Sequence, residues 1–149
     1  MAEFPGAVLF SCNYNRVRSP MAQALMRLTF GDRIYVESCG LKPGGEDADP
    51  FAVAVMDELG ADLSSFQPKT FGELMDGSFD LVVSLTPEAH HRAIEMTRAR
   101  AVGLEYWPTL DPTLATGSRD QVLEAYRAVR DGLHARILDR FGKPSTFGG

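Results

Sequence analysis

The feature that most limits the fold of this chain is an alternation of short apolar segments with stretches of helical spacing. The apolar segments are rich in branched residues and are interpreted as buried strands; they are Ala7–Ser11, Ile34–Ser38, Phe79–Leu85 and Leu104–Trp107. The helical stretches are Pro20–Phe30, Pro50–Leu59, a short one at Phe71–Met75, Pro87 to about Arg100, and a long one after Ser118. Strands that alternate with helices form βαβ units, so we predict a three-layer α/β/α fold with a small parallel sheet of about four strands.

Two of the predicted helices have a clear beginning and a clear apolar face. For the first, we predict Ser19 as the N-cap with Pro20 as the first helical residue. Its apolar face is formed by Met21, Leu25 and Leu28. For the last helix, Ser118 with Gln121 three positions later predicts a capping box. Its apolar stripe consists of Val122, Tyr126, Val129, Leu133, Ile137 and Phe141.

Length and composition indicate one ordinary globular domain. The chain has 149 residues, of which 44% are apolar and 23% are charged, so we predict a single domain over residues 1–149 with a flexible tail from about 143 to 149. The net charge of -5 argues against a nucleic-acid partner, and no apolar run is long enough to suggest a membrane partner. Since the first residues also lack the pattern of a secretory signal, we expect a cytoplasmic protein; the sequence leaves its oligomeric state open.

A cysteine and an arginine bracket the turn between the first predicted strand and helix. Cys12 follows the strand and Arg18 opens the helix, in "CNYNRVRS". The residues between them are enough to wrap a loop around a tetrahedral oxyanion, with backbone N–H groups pointing inward; they are Asn13, Tyr14, Asn15, Arg16 and Val17. The loop amides, the helix N-terminus and the guanidinium all favour the thiolate form of Cys12, and Ser19 is within reach of its sulfur. The pattern predicts a cysteine nucleophile that attacks a bound phosphoryl group.

Such a nucleophile needs a general acid to protonate the leaving oxygen. Asp111, in "YWPTLDPT", follows the fourth predicted strand, so its loop lies at the same carboxyl edge of the sheet as the loop of Cys12. Pro108 and Pro112 stiffen that loop. An Asp–Pro pair is also common in simple turns, so both readings of Asp111 stay open at this point.

Several stretches of the sequence together resemble one known family. "CNYNRVRSP", "VESCGLKPG", "ADPFAVAVMDELGADLSSFQPKTF", "FDLVVSL" and a downstream "DP" are similar to segments of the low-molecular-weight protein tyrosine phosphatases, a family that includes the thioredoxin-coupled arsenate reductases. A nucleophile loop near the N-terminus with the Asp–Pro pair after it is also the order of this family. The resemblance implies a small parallel sheet flanked by helices and a two-step mechanism that uses no metal or cofactor.

The resemblance assigns a role to each residue of the candidate site that takes part in the reaction. Cys12 would be the nucleophile that forms a phosphocysteine, Arg18 the phosphate clamp, and Ser19 the partner of the thiolate. Asp111 would protonate the leaving group and then activate water for the second step. The implied substrate is a phosphorylated protein or a small phosphomonoester.

The resemblance also assigns residues that hold the loop, and it shows two departures. Asn15 would keep the loop in its strained conformation, Ser38 would support it, and the backbone amides of 13–18 would bind the phosphate oxygens. Tyr14 stands where the family usually has glycine, and Val17 stands where a second cysteine is frequent. The tyrosine would narrow the mouth of the site or require a changed backbone.

The departures leave two alternatives to a phosphatase. The arsenate reductases relay electrons through two further cysteines, and this chain has Thr86 and Ala93 at those positions, so only a reductase that uses an external small thiol remains possible. A binding module without turnover is the other alternative. Thr113 and Leu114 replace the aromatic residues that usually follow Asp–Pro, which puts phosphotyrosine specificity in question.

A second cysteine, Cys39, raises the possibility of a regulatory disulfide. Its position in "VESCG" corresponds to a small residue near the nucleophile loop in the family, so a Cys12–Cys39 bridge that switches activity off stays open.

Overall fold

The computed structural model describes residues 5–74, 78–98 and 100–142. The helices and strands follow one another as β1 (Ala7–Cys12), α1 (Arg18–Phe30), β2 (Tyr35–Gly40), α2 (Pro50–Asp57), β3 (Leu81–Ser84), α3 (Pro87–Met96), β4 (Gly103–Tyr106) and α4 (Arg119–Phe141). Short 3-10 turns lie at Gly31–Arg33, Phe71–Glu73 and Pro112–Leu114. The tail predicted after residue 142 and the predicted helix end at Met75 lie outside the described residues.

The four strands form one parallel sheet in the order β2-β1-β3-β4. The chain leaves β1 toward β2 on one side and later returns to place β3 on the other, so the strand order changes direction at β1. Side chains outside the carboxyl end of such a strand face a crevice between the two connections. Cys12 is the last residue of β1, and it pairs in register with Gly40 of β2. The predicted fold class is confirmed, and the sheet positions Cys12 at this crevice.

Helices cover both faces of the sheet. On one face α1, α2 and α4 contribute to one apolar cluster that includes Val8 and Phe10, and on the other α3 packs against the sheet beside Leu9 and Val82. Trp107, directly after β4, is 3% exposed and meets the ring of Phe10 edge-on at a centroid distance of 5.8 Å. The sheet is therefore a central layer with apolar packing on each side. Within the described ranges, no helix combines the length and the apolar character needed to cross a bilayer.

Three details of the first and third helices differ from the sequence predictions. Helix α1 begins at Arg18 with Val17 at the N-cap, so the predicted cap at Ser19 is wrong: its hydroxyl bonds to the Cys12 sulfur instead. Leu28 is 48% exposed, because the buried stripe of α1 turns through Met26. Helix α3 ends at Met96 rather than near residue 100. The capping box at Ser118 is confirmed.

Candidate active site

The sulfur of Cys12 is held inside the loop that joins β1 to α1. Cys12 is 2% exposed, and its Sγ lies 2.9 Å from Oγ of Ser19, within hydrogen-bond distance. The backbone N–H of Asn15 donates to the same sulfur over 3.3 Å. Ser19 lies on the first turn of α1, so the helix start brings its hydroxyl to the sulfur. A thiolate at this position has polar hydrogens directed at it from two sides.

Asn15 is the centre of a buried hydrogen-bond network behind the loop. Its φ angle is 57°, in the left-handed region that asparagine tolerates better than most residues. Its Nδ2 donates to Oγ of Ser19 (2.8 Å) and of Ser38 (3.0 Å), and its Oδ1 accepts from the backbone N–H of Lys69 (2.9 Å). Ser38 in turn is hydrogen bonded to the side-chain amide of Gln23. The network ties the loop to α1, β2 and the segment around Lys69.

Two glycines let neighbouring segments approach the loop closely. A Cβ on Gly40 would lie 2.7 Å from the backbone nitrogen of Asn15, which leaves no space for another residue there. A Cβ on Gly44 would lie 2.6 Å from Cβ of Tyr14. Beyond Gly44, the carbonyl of Asp47 accepts from Nε of Arg16 over 2.8 Å. The segment of residues 41–50 therefore lies against the outer side of the loop.

Arg18 and Asp111 meet at the open side of the loop. The Arg18 side chain is 11% exposed, one of its terminal nitrogens donates to the Thr109 carbonyl (3.1 Å), and the other lies 3.9 Å from Oδ2 of Asp111. The other carboxylate oxygen of Asp111 accepts from the backbone N–H (3.0 Å) and the hydroxyl (2.6 Å) of Thr113. The loop after β4 thus brings a carboxylate to the anchored guanidinium, as its place at the carboxyl edge predicts.

These groups surround one pocket of about 390 Å³. It is lined by Cys12, Tyr14, Arg16, Val17, Arg18, Gly44, Asp49, Asp111 and Thr113. The pocket combines a sulfur nucleophile, a guanidinium and a carboxylate with the start of a helix, which favours an oxyanion at its base. The arrangement can bind a tetrahedral anion over the sulfur and leave a carboxylate beside its outer oxygen.

Asp49 is a member of the pocket that sequence reasoning missed. Its Oδ1 caps α2 by accepting from the backbone N–H of Phe51 over 2.8 Å, and its Oδ2 accepts from the hydroxyl of Tyr126 over 3.1 Å. Burial and the adjacent Asp49 carboxylate raise the pKa of Tyr126 well above its usual range, so this hydroxyl remains a donor. The sequence signal that could have identified Asp49 is its position directly before Pro50, because an aspartate followed by a proline is typical of the start of a helix.

The comparisons with known proteins agree with this geometry. A family model described as "Low molecular weight phosphotyrosine protein phosphatase" matches residues 7–139, which include the Cys12 loop and Asp111. The chain belongs to this family. The resemblance noted in the sequence is therefore confirmed.

The relatives of this chain carry two different activity names. An arsenate reductase of Bacillus subtilis (strain 168) is 31% identical over 132 residues, which cover 89% of this chain and 92% of the relative. A low-molecular-weight protein-tyrosine-phosphatase of Streptomyces coelicolor is 34% identical over 139 residues, which cover 84% and 80%. A solved structure described as an arsenate reductase in the phosphate binding state has a TM-score of 0.75 and 29% identity, covering 93% of this chain and 98% of that one. The enzyme belongs to a superfamily that holds both activities.

The predicted phosphate contacts of Asn13 and Tyr14 are made by their backbone amides, and the structure places their side chains elsewhere. The side chain of Asn13 accepts from the hydroxyl of Thr86 over 2.8 Å and does not line the pocket. Tyr14 is 51% exposed at the pocket mouth. Among the described non-glycine residues, Asn15 alone has a positive φ, so the backbone at Tyr14 needs no glycine. Of the two alternatives predicted for Tyr14, the position at the mouth of the site is found.

Cys39 is turned away from the nucleophile. It packs with Leu9 and Val82 on one face of the sheet, whereas Cys12 packs with Val8 and Phe10 on the other, and both thiols are free. Burial raises the pKa of Cys39 far above its ordinary value, which keeps it a neutral thiol. A Cys12–Cys39 disulfide would need a rearranged strand, so the structure argues against that bridge.

Proposed function

We propose that the protein hydrolyses phosphomonoesters in two steps through a phosphocysteine on Cys12. The observation that carries the proposal is that the Asp111 carboxylate lines the same pocket as the Cys12 sulfur and lies 3.9 Å from the Arg18 guanidinium. A pocket that only binds an anion has no use for a carboxylate at its mouth, because that charge repels the ligand. A general acid beside the leaving oxygen accounts for it.

In the first step the Cys12 thiolate attacks phosphorus, an S–P bond forms and the bond to the leaving oxygen breaks. Asp111, protonated at that stage, gives its proton to the departing oxygen. In the second step the Asp111 carboxylate takes a proton from water, the water oxygen attacks phosphorus, and the S–P bond breaks to release phosphate. The Ser19 hydroxyl, 2.9 Å from the sulfur, stabilises the thiolate that leaves.

Phosphate is held by the loop and by Arg18 during both steps. Arg18 offers a planar fork to two phosphate oxygens, and its bond to the Thr109 carbonyl orients that fork. The buried network around Asn15 fixes the loop before substrate arrives, so little free energy is lost in ordering it. A thiolate nucleophile also needs a reducing environment, and we therefore propose that the enzyme works in the cytoplasm on a phosphorylated protein or a small phosphomonoester.

Arsenate reduction with an external small thiol is a second candidate, favoured by relatives of that name with 31% identity. Arsenate would condense with Cys12, and an external thiol would then attack the sulfur, forming a mixed disulfide while As(V) leaves as As(III). An internal relay has no support, because the chain has two cysteines in all and Cys39 lies on the other face of the sheet. Thr86, at one relay position, caps α3 instead.

The test is hydrolysis of p-nitrophenyl phosphate by the reduced protein from about pH 5 to 8, with Cys12→Ser alongside. We expect turnover in the wild type and none in the variant, because serine is a far weaker nucleophile than a thiolate. A parallel assay supplies arsenate with glutathione and measures As(III). Formation of As(III) without phosphate release would replace the proposal by the second candidate, and the absence of both products would leave a binding module.

A further inference from the structure

A second depression, the acid-loop groove, lies between the loop of residues 107–115 and the outer face of α4. Its volume is about 730 Å³. Leu110 and Leu114 contribute from the loop, and Ala125, Ala128 and Gly132 contribute from α4. Its charged lining residues are Asp111 and Arg136. The groove is thus a largely apolar channel of the size that small organic ligands occupy.

The two leucines of this groove are exposed to an unusual degree. Leu110 is 84% and Leu114 is 78% exposed, and they are the most exposed large apolar side chains in the described part of the chain. Two such side chains beside an apolar channel indicate a surface that an apolar ligand covers. Their positions on either side of Asp111 connect this surface to the reaction.

The groove and the phosphate pocket share Asp111 as a lining residue. In the proposed mechanism Asp111 contacts the leaving oxygen, so the carbon chain attached to that oxygen begins where the groove begins. The groove therefore adjoins the proposed position of the leaving group at Asp111.

We propose that the acid-loop groove binds an extended apolar chain on the leaving group of a small phosphomonoester substrate. This inference rests on the proposed function and names its substrate class. A peptide fits less well, because its amides need hydrogen-bond partners. On the α4 side, the polar lining side chain is Arg136, whose guanidinium lies over the Trp107 ring at 5.2 Å, and the Thr109 hydroxyl already donates to the Trp107 carbonyl (2.8 Å). A second copy of the chain is less favoured, because its contact with the groove would not account for the lining residue that the groove shares with the phosphate pocket.

The experiment compares 4-methylphenyl phosphate with 4-hexylphenyl phosphate, whose leaving groups are nearly equal in acidity. For the wild type we expect kcat/KM to be at least ~10-fold higher for the hexyl ester, because its added methylenes are buried in the groove. Ala128→Glu puts a charge on the groove surface and should bring the ratio of the two kcat/KM values close to one. Ala135→Glu is the matched control, an exposed alanine of α4 outside the groove, and it should keep the wild-type ratio.

Other outcomes each overturn the inference. Equal kcat/KM values for the two esters in the wild type would remove it and leave the proposed function standing, whereas no hydrolysis of either ester would remove both. A higher kcat/KM for phosphotyrosine peptides with neighbouring apolar residues than for peptides without them would assign the groove to a peptide, provided that Ala128→Glu abolishes the difference. Sedimentation that shows a wild-type dimer and a monomeric Ala128→Glu would assign it to a second copy.

Discussion

The two sides of the Cys12 pocket are built in opposite ways. Behind the sulfur, the side chains of Asn15, Ser19 and Ser38 are fully buried and are hydrogen bonded to one another. In front of it, Asp111 is held by a residue two positions away and by a 3.9 Å ion pair, between two leucines in solvent. The comparison shows that the back of the pocket is held by buried hydrogen bonds from several elements, whereas the front depends on contacts made at its exposed edge.

The largest expected effect concerns the front side. Asp111→Asn keeps the side chain's size and its acceptor for Thr113 but removes the transferable proton. We expect kcat for phenyl phosphate to fall by about 10²–10⁴, and the fall for p-nitrophenyl phosphate to be much smaller, because a good leaving group needs no acid. Steady-state kinetics on both esters checks this. An equal loss on both would show that Asp111 acts on binding rather than on the leaving oxygen.

On the back side, Asn15→Ala should affect folding as well as activity. It removes three hydrogen bonds of a buried side chain and places alanine at a φ of 57°. We expect the free energy of unfolding to fall by about 2–4 kcal/mol, measured by urea denaturation. Asn15→Gly, which accepts the same φ, is the control, and its free energy of unfolding should fall by less. If the two variants lose the same amount, backbone conformation contributes nothing at this position.

A smaller effect on the front side should come from Thr113→Val. The variant keeps the acid but removes the 2.6 Å hydrogen bond from the Thr113 hydroxyl to Asp111. We expect kcat for phenyl phosphate to fall about fivefold, the equivalent of one hydrogen bond of about 1 kcal/mol, with unfolding unchanged. A loss as large as that of Asp111→Asn would mean that the front side is as rigidly organised as the back.

The smallest effect should lie outside both sides, at the contact between α2 and α4. Hydrogen bonds from Arg127 and Arg130 lower the pKa of Glu58 from 4.5 to about 2. A lowered folded-state pKa stabilises the fold above the unfolded value, and the stabilisation is lost as pH falls from 4.5 toward 2. Glu58→Gln should remove this part of the pH dependence of the urea midpoint and leave activity at pH 5–8 unchanged. If the urea midpoint of Glu58→Gln falls with acid as it does in the wild type, Glu58 is not the group that causes this pH dependence.

The sequence predicted the fold well because its signals are local. Branched apolar runs, the Ser118 capping box and a cysteine at a strand end each depend on neighbouring residues. The same reasoning failed at Ser19, where a cap pattern was present but the Cys12 sulfur competes for the hydroxyl. A local pattern cannot show a competing partner that the fold brings from another element.

The residues missed at the site depend on long-range contacts. Lys69 contributes its backbone N–H to Asn15, and a backbone group leaves no mark on the side-chain pattern. Gln23 has a sequence signal, because a glutamine interrupts the apolar face of α1. In the structure its side chain is buried, with 4% exposure. The front side of the pocket, at Asp111, was the least predictable, because Leu110 and Leu114 are apolar residues whose exposure only the structure reveals.

The direction in which Cys39 points also determines how the enzyme survives oxidation. A sulfenic acid formed on Cys12 by peroxide is rescued when a thiol condenses with it, and otherwise it proceeds to the irreversible sulfinic acid. Val17 offers no thiol in the loop, and Cys39 lies across the sheet, so the rescue must come from a thiol outside the chain. Activity after a peroxide pulse should therefore follow the glutathione present during the pulse, which would make this enzyme a reporter of the thiol pool around it.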